Sequence, residues 1–421
     1  MRYPFPRTFR ALRNPNYRLY WVGQIVSMLG TWMQTVAQAW LVLRLTDSPV
    51  ALGVIVACQT VPVLLFALFG GVVADRVSKR RLLVWTQSAM LVQAAATAAL
   101  TATNHATLPA LYLLAFVLGT ATAFDNPVRQ AFTKELVASE DVPNAVALNS
   151  IVMNVARLAG PALAGLTIAA LGVTACFALN ALSFLAVIGA LLRMRPERFF
   201  AVPPPSGGRM LAQIAEAVTY ARRTPEIGPI LLLTAVFGIF AYQFNVVLPL
   251  IARYVLHYGP VGFGALSSAM AVGSLVGALR IAHRGVATPR MLFAGAAGFS
   301  VFWMAVALST RGAATVPLLA LAGMCSITYF TTSTSRVQLL VAPALRGRVM
   351  GLYALLDLGT APIGSLLVGA LAAQYGVRPA VGIFGAMCAL GTAAAWRYLR
   401  SQRASHPAAL PDSAEEDGLR V

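Results

Sequence analysis

Three ionisable residues sit among otherwise apolar neighbours, and these are the places where the chain could do chemistry. Asp357 is flanked by Leu355, Leu356 and Leu358, Arg157 lies between Ala156 and Leu158, and Asp125 follows Ala123 and Phe124. An isolated carboxylate in such surroundings takes up a proton more readily than one in water, which is the chemistry of a proton carrier. The same three residues also fit structural ion pairs or polar contacts. Other chemistries find little footing. A phosphate-binding loop needs Gly-Lys-Ser/Thr. The only two lysines are Lys79, followed by Arg80, and Lys134, followed by Glu135, so no ATP hydrolysis by that route is expected. Cys58, Cys176, Cys325 and Cys388 each lie in an apolar run without metal-ligand spacing, and buried cysteine usually behaves as a small hydrophobe. His105, His257, His283 and His406 are scattered, so neither a metal site nor a cofactor is expected.

The elements that must position these residues follow from composition. Of 421 residues, 58% are hydrophobic and 11% charged, with a mean hydropathy of +0.73. A soluble domain carries about 25% charged residues to wet its surface. The deficit excludes a soluble enzyme, a nucleic-acid binder and a disordered chain. A helix needs about 20 mostly apolar residues to cross the hydrocarbon core. Twelve stretches qualify: 19–43, 50–73, 82–103, 108–129, 142–171, 176–192, 227–251, 261–279, 291–309, 313–335, 349–373 and 380–399. Helices are the expected form, because their backbone groups are satisfied internally. Ser48-Pro49 is a start signal for the second span, serine as cap and proline at the first helical position. The chain thus reads as an all-α integral membrane protein.

The net charge of +18 then reports topology. Of the 32 basic residues, 27 fall on one side of the spans; Arg44, Arg253, Arg311 and Arg378 fall on the other, and Arg157 lies within a span. Basic loops stay cytoplasmic, so both termini are expected in the cytoplasm of a cell bounded by a bacterial-type inner (plasma) membrane. The first apolar run is too long for a signal peptide. The expected organisation is an N-terminal cytoplasmic segment (1–18), a six-helix half (19–192), a cytoplasmic linker (193–226), a second six-helix half (227–400) and a disordered cytoplasmic tail (401–421). Pro203-Pro204-Pro205 and Gly207-Gly208 make the start of the linker irregular. Met210, Leu211, Ile214 and Val218 then recur at helical spacing, as in an amphipathic helix lying on the membrane surface. The halves echo each other: Phe124 to Gln130 resembles Thr332 to Gln338, and Gly160-Pro161 matches Ala361-Pro362. Two related six-helix halves imply a secondary transporter with its site between them.

Between spans two and three the chain reads Gly71-Val-Val-Ala-Asp75-Arg76-Val-Ser78-Lys79-Arg80-Arg81. This resembles the loop motif of the major facilitator superfamily, with Ser78 where the pattern has its second glycine. The resemblance implies a gate in which Gly71 allows close helix approach, Asp75 caps a neighbouring helix, and Arg76, Lys79 and Arg80 hold lipid phosphates or carboxylates. Arg157-Leu-Ala-Gly160-Pro161-Ala-Leu-Ala-Gly165 is similar to the antiporter motif of that superfamily, and equally to a packing kink. Phe9 to Arg18, Ser27 to Gln34 and Leu345 to Gly351 resemble the efflux branch that includes enterobactin exporters and macrolide efflux pumps. That resemblance implies the twelve-helix major facilitator fold and export driven by protons.

Gln24, Ser27, Thr31, Gln34 and Gln38 share one face of span one. Such a stripe should face the bundle or a watery cavity, with helix–helix adhesion as the other use of the same amides. Tyr242, Asn245 and Tyr329 are further candidates for lining a cavity suited to bulky organic cargo. Asp357, Asp125 and Arg157 are the proton-coupling candidates, and whether Arg157 partners Asp357 stays open. The expected function is alternating-access export of drug- or siderophore-type compounds by proton antiport, with no enzyme activity. Expected partners are the organic cargo, protons and membrane lipids, without ATP or nucleic acid, and the chain is expected to be a monomer. Proton-coupled uptake is the rival within transport. A polytopic membrane enzyme and a non-transporting sensor are the rivals from other classes.

Overall fold

A computed structural model describes residues 7–200, 216, 218–220, 224 and 226–405, with backbone alone at 7, 67–72, 74–76, 344 and 402–405. A short 3-10 segment, Arg7–Arg13, leads into α1 (Pro15–Thr46), α2 (Pro49–Arg76), α3 (Lys79–Ala102), α4 (Leu108–Leu136), α5 (Val142–Leu171) and α6 (Val173–Arg193). The second half comprises α7 (Ile227–Phe240), α8 (Phe244–Leu250, extended by a π turn at Ile251–Val255), α9 (Pro260–Arg284), α10 (Pro289–Leu308), α11 (Gly312–Leu340), α12 (Pro343–Leu358), α13 (Ala361–Tyr375) and α14 (Val377–Ser405). With α7–α8 and α12–α13 each counted as one broken span, twelve crossings result. Eleven are long and apolar enough on composition alone. The twelfth, α1, has 32 residues, and its buried Gln24, Gln34 and Gln38 dilute its apolar content.

Local chemistry explains where the helices begin. The Asn14 side chain accepts from the backbone of Asn16 at 2.9 Å, with Pro15 at the first helical position. Ser48 accepts from Ala51 at 3.3 Å ahead of Pro49, as its sequence predicts. Thr288 repeats the device before Pro289. Gly172 (φ 83°) joins α5 to α6, and Gly376 (φ 90°) makes the same joint between α13 and α14. Outer faces carry bare apolar side chains: Val92, Leu113, Leu279 and Leu390 are each more than 60% exposed. Lipid, not water, is the solvent that such a band requires.

Within each half the packing repeats. Helix α2 packs on α4, α3 on both α4 and α6, and α1 on α5 and α6. In the second half α9 packs on α11, α10 on α11 and α14, and α7 on α12 and α14. The halves meet along α5–α9 and α2–α13. Helix α1 begins at Pro15, ahead of the expected boundary at 19, and the segment before it is docked. The Ala11 amide donates to Asn144, the Asn144 amide donates to Thr8, and Arg10 pairs with Asp141.

Several expectations are corrected here. Spans seven and eleven are each broken in two, at 241–243 and at Gly359-Thr360. By contrast α5 runs uninterrupted through Gly160-Pro161, which serves close packing and makes no break. Ser401–Ser405 extend α14, so the tail does not begin at 401; residues 406–421 lie outside the described residues. Met210, Leu211 and Ile214 of the linker also lie outside them. The described part of that segment packs on protein: Val218 and Tyr220 rest on the larger core and Glu216 pairs with Arg348.

Candidate functional site

The polar stripe of α1 is the first test of the expected cavity. Gln34 donates to Gln93 of α3 at 3.0 Å and accepts from Asn180 of α6 at 2.7 Å. Gln38 accepts from Gln59 of α2 at 2.9 Å. Gln24 accepts from Arg129 of α4. Thr31 is half-buried and bonds back to the Ser27 carbonyl at 2.9 Å. In this structure Gln24, Gln34 and Gln38 are buried and hydrogen-bonded inside the first half, the adhesion use expected as the alternative. In an apolar medium an amide gains most by pairing with another, and α1 is surrounded by such partners.

Asp125 is engaged in the same half. Its side chain is fully buried and accepts from Thr86 at 2.8 Å, Gln87 at 2.8 Å and Arg129 Nε at 2.9 Å. Arg129, one turn away, makes this a buried ion pair within the first half. The second half has a counterpart at the same end, where Arg336 of α11 pairs with Glu226 at the start of α7.

At the α2–α3 turn the side chains of Gly71, Asp75 and Arg76 lie outside the described ones. The helix cap expected of Asp75 therefore lies there too. Ser78 has φ −53°, a conformation open to any residue, so the turn does not require glycine. Lys79 pairs with Glu135 of α4 at 2.6 Å. Arg80 donates to the carbonyls of Leu191 at 2.6 Å and Leu192 at 2.9 Å, closing the C-terminus of α6. Both basic side chains thus brace the first half.

The centre of the molecule is different. Gly238 of α7 and Gly364 of α13 bring the two broken spans into close contact. A Cβ on Gly238 would meet the Leu356 carbonyl at 2.6 Å, and one on Gly364 would meet Gln243. Gln243 donates to the carbonyls of Gly238 at 3.0 Å and Ile239 at 3.2 Å, satisfying backbone groups that the break in α7 releases. Around these breaks stand groups without partners. Asp357, two residues before the α12–α13 break, is half-buried, and its Oδ1 is buried without a hydrogen bond. The Tyr242 hydroxyl is buried and equally unpartnered, while Asn245 is exposed. Tyr329 is buried, its ring centroid 4.2 Å from that of Phe237 and its hydroxyl 3.4 Å from Thr234.

Arg157 is exposed at the seam between the halves. Its guanidinium stands 5.5 Å from the centroid of the Trp32 ring. Among the described residues no carboxylate pairs with it, so Arg157 and Asp357 do not form an ion pair here. An arginine at mid-membrane costs about 2.5–3.5 kcal/mol on insertion scales, and a cation–π contact returns about 0.5–2 kcal/mol. Gly160 packs on Trp32, and a Cβ at Gly165 would meet the Pro260 carbonyl of α9 at 2.7 Å. The antiporter-like motif thus holds α5 against α1 and against the opposite half.

At the end opposite the arginine-rich loops, Asp47 (φ 50°) ends α1 and receives Arg253 Nε at 2.8 Å and the Tyr254 hydroxyl at 3.0 Å. Those two hydrogen bonds, Tyr254's first, hold the Asp47 carboxyl below its ordinary 3.8. Sequence reading missed this contact, because nothing local links residues so far apart in the chain. With Ser268 donating to the Leu158 carbonyl at 2.9 Å, it joins the halves. Among the described residues no hydrogen bond or ion pair joins them at the arginine-rich end.

Two six-helix halves, closed on each other at one end around a sparse set of unpartnered polar groups, define a secondary transporter of the major facilitator type. The sequence profile of the family described as transmembrane secretion effector matches residues 7–414, and the chain belongs to that family. Membership makes it a transporter and not an enzyme. It is 24% identical to the staphyloferrin A transporter of Staphylococcus aureus over 87% of this chain and 92% of that protein. It is also 24% identical to macrolide efflux protein A of Streptococcus pyogenes, over 85% and 89%. The fold is shared with a bacterial homologue of the human lysosomal transporter Spinster in its inward-facing form (TM-score 0.72, 13% identity, covering 92% of this chain and 98% of that one).

Proposed function

We propose that this chain exports bulky organic compounds across a bacterial plasma membrane by alternating access and proton antiport, with both termini in the cytoplasm. The asymmetry of basic residues supports that orientation. The arginine-rich end is then the cytoplasmic one, and the arrangement described here is closed to the outside. Relatives that carry staphyloferrin A or macrolides support an organic cargo of that size. A monomer in direct contact with lipid suffices for this mechanism.

The observation that carries proton coupling is Asp357, the one acid of the three candidates' set left without an ion pair, placed beside a helix break. Gly359, Pro362 and Gly364 let α12 and α13 move as separate rods, so alternating access changes the surroundings of Asp357. A group carried between dry and wet surroundings binds a proton in one and releases it in the other.

The test uses energised inside-out vesicles and a panel of siderophores, macrolides and dyes, with pH followed as each compound is added. Wild-type protein should release protons on addition of a cargo. Asp357→Asn should abolish proton-driven accumulation while cargo binding survives, and Asp357→Glu should keep part of the activity. Wild-type proton stoichiometry in the asparagine variant would remove Asp357 from the coupling mechanism. Proton uptake in place of release would turn the reading to symport.

A further inference from the structure

Arg157 is the charged group that proton coupling leaves unused. Each other intramembrane arginine described above is neutralised on its own half: Arg129 holds Asp125 and Arg336 holds Glu226. Arg157 has no carboxylate partner among the described residues, yet it is exposed and lies on the seam. Its neighbour Leu158 accepts from Ser268 of the opposite half. Trp32 covers one face of the guanidinium. Among the described residues none of its N–H groups is engaged by a carboxylate. A flat fork of donors matches the two coplanar oxygens of a carboxylate, whereas an organic cation would meet repulsion at this point.

We propose that Arg157, in cation–π contact with Trp32, is the recognition point for a carboxylate on the exported compound, so that this chain takes organic anions in preference to organic cations. The inference rests on the reading that cargo passes between the two halves. Recognition would then lie with α1 and α5, and proton exchange with α12.

The test is equilibrium binding to the purified full chain in nanodiscs, without a gradient, so that coupling plays no part. The probes share one framework and differ in charge: 5-carboxyfluorescein as anion and rhodamine 6G, an esterified cation, each followed by anisotropy. Wild-type protein should bind the anion at least tenfold more tightly than the cation. Arg157→Gln should weaken the anion at least tenfold and leave the cation within twofold or improve it. Arg157→Lys should fall between, and Trp32→Leu should weaken the anion by about threefold. Should the glutamine variant fail to purify as a folded species, the lysine and Trp32 variants carry the comparison. Anion affinity within twofold of wild type in all three variants would overturn the assignment. Preferential binding of rhodamine 6G by wild type would overturn it too while leaving the cargo path intact. Failure of wild type to bind either probe would count against both the path and the assignment.

Discussion

Asp125 and Asp357 are two acids in apolar helices with opposite fates. Asp125 sits among Thr86, Gln87 and Arg129, while Asp357 Oδ1 has no hydrogen-bond partner. Removing one member of a buried pair strands the other charge, at a cost of about 3–5 kcal/mol. Asp125→Asn and Arg129→Gln should therefore each lower the thermal unfolding midpoint of detergent-purified protein markedly. Asp357→Asn breaks no ion pair and should unfold near the wild-type midpoint. A wild-type midpoint for Asp125→Asn together with lost transport would return Asp125 to the list of proton carriers. From local sequence the two aspartates look alike; what separates them is contributed by other helices.

Helices meet across the seam with little space to spare. At Gly165 a Cβ would lie 2.7 Å from the Pro260 carbonyl, and at Gly369 one would lie 2.8 Å from the Pro49 carbonyl. Gly165→Val should pry α5 from α9 and shift the population toward a form open at the far end. Spin labels or cysteines placed at that end should report greater separation or faster labelling, and an unchanged pattern would deny the seam its gating role. The Asp47 contact works at the same end. In the closed form its carboxyl lies below 3.8, and in an open form it returns to that value. The contact is thus at full strength above the open-form value and is lost only as pH falls through the depressed closed-form value. Far-end distances should stay constant from pH 8 to pH 5, whereas Asp47→Asn should lengthen them at every pH. Opening of the wild-type far end between pH 7 and pH 5 would assign the latch to other groups.

For the whole molecule, orientation decides what transport means. In a background with Cys58, Cys176, Cys325 and Cys388 replaced by alanine, cysteine at His105 or Arg311 should react with an impermeant thiol reagent on intact cells. Cysteine at Ser405 should react only after the membrane is opened. The reverse pattern would place the arginine-rich end outside and turn the proposed export into uptake. Repetition of the packing α2–α4, α3–α4 and α1–α6 as α9–α11, α10–α11 and α7–α14 shows that each half is a packing unit, and the two units meet along α5–α9 and α2–α13.

Hydropathy, charge distribution and helix starts were legible in the sequence because each sums the preference of single residues for lipid, water or a cap. The membrane class, the twelve crossings, the Ser48-Pro49 start and the resemblance at Gly71 to Arg81 all come from such local terms. Neither the break at Gly359-Thr360 nor the one at 241–243, where Gln243 supplies the missing hydrogen bonds, was foreseen from the sequence. Partner choice is a property of pairs, and only the tertiary structure decides it. It spent Gln24, Gln34 and Gln38 on adhesion, paired Asp125 with Arg129, joined Asp47 to Arg253, and, among the described residues, left Asp357 and Arg157 without carboxylate or cationic partners. An amide or a charge in lipid must find whatever donor or acceptor the fold brings within about 3 Å, and separation along the chain carries no record of which one that is.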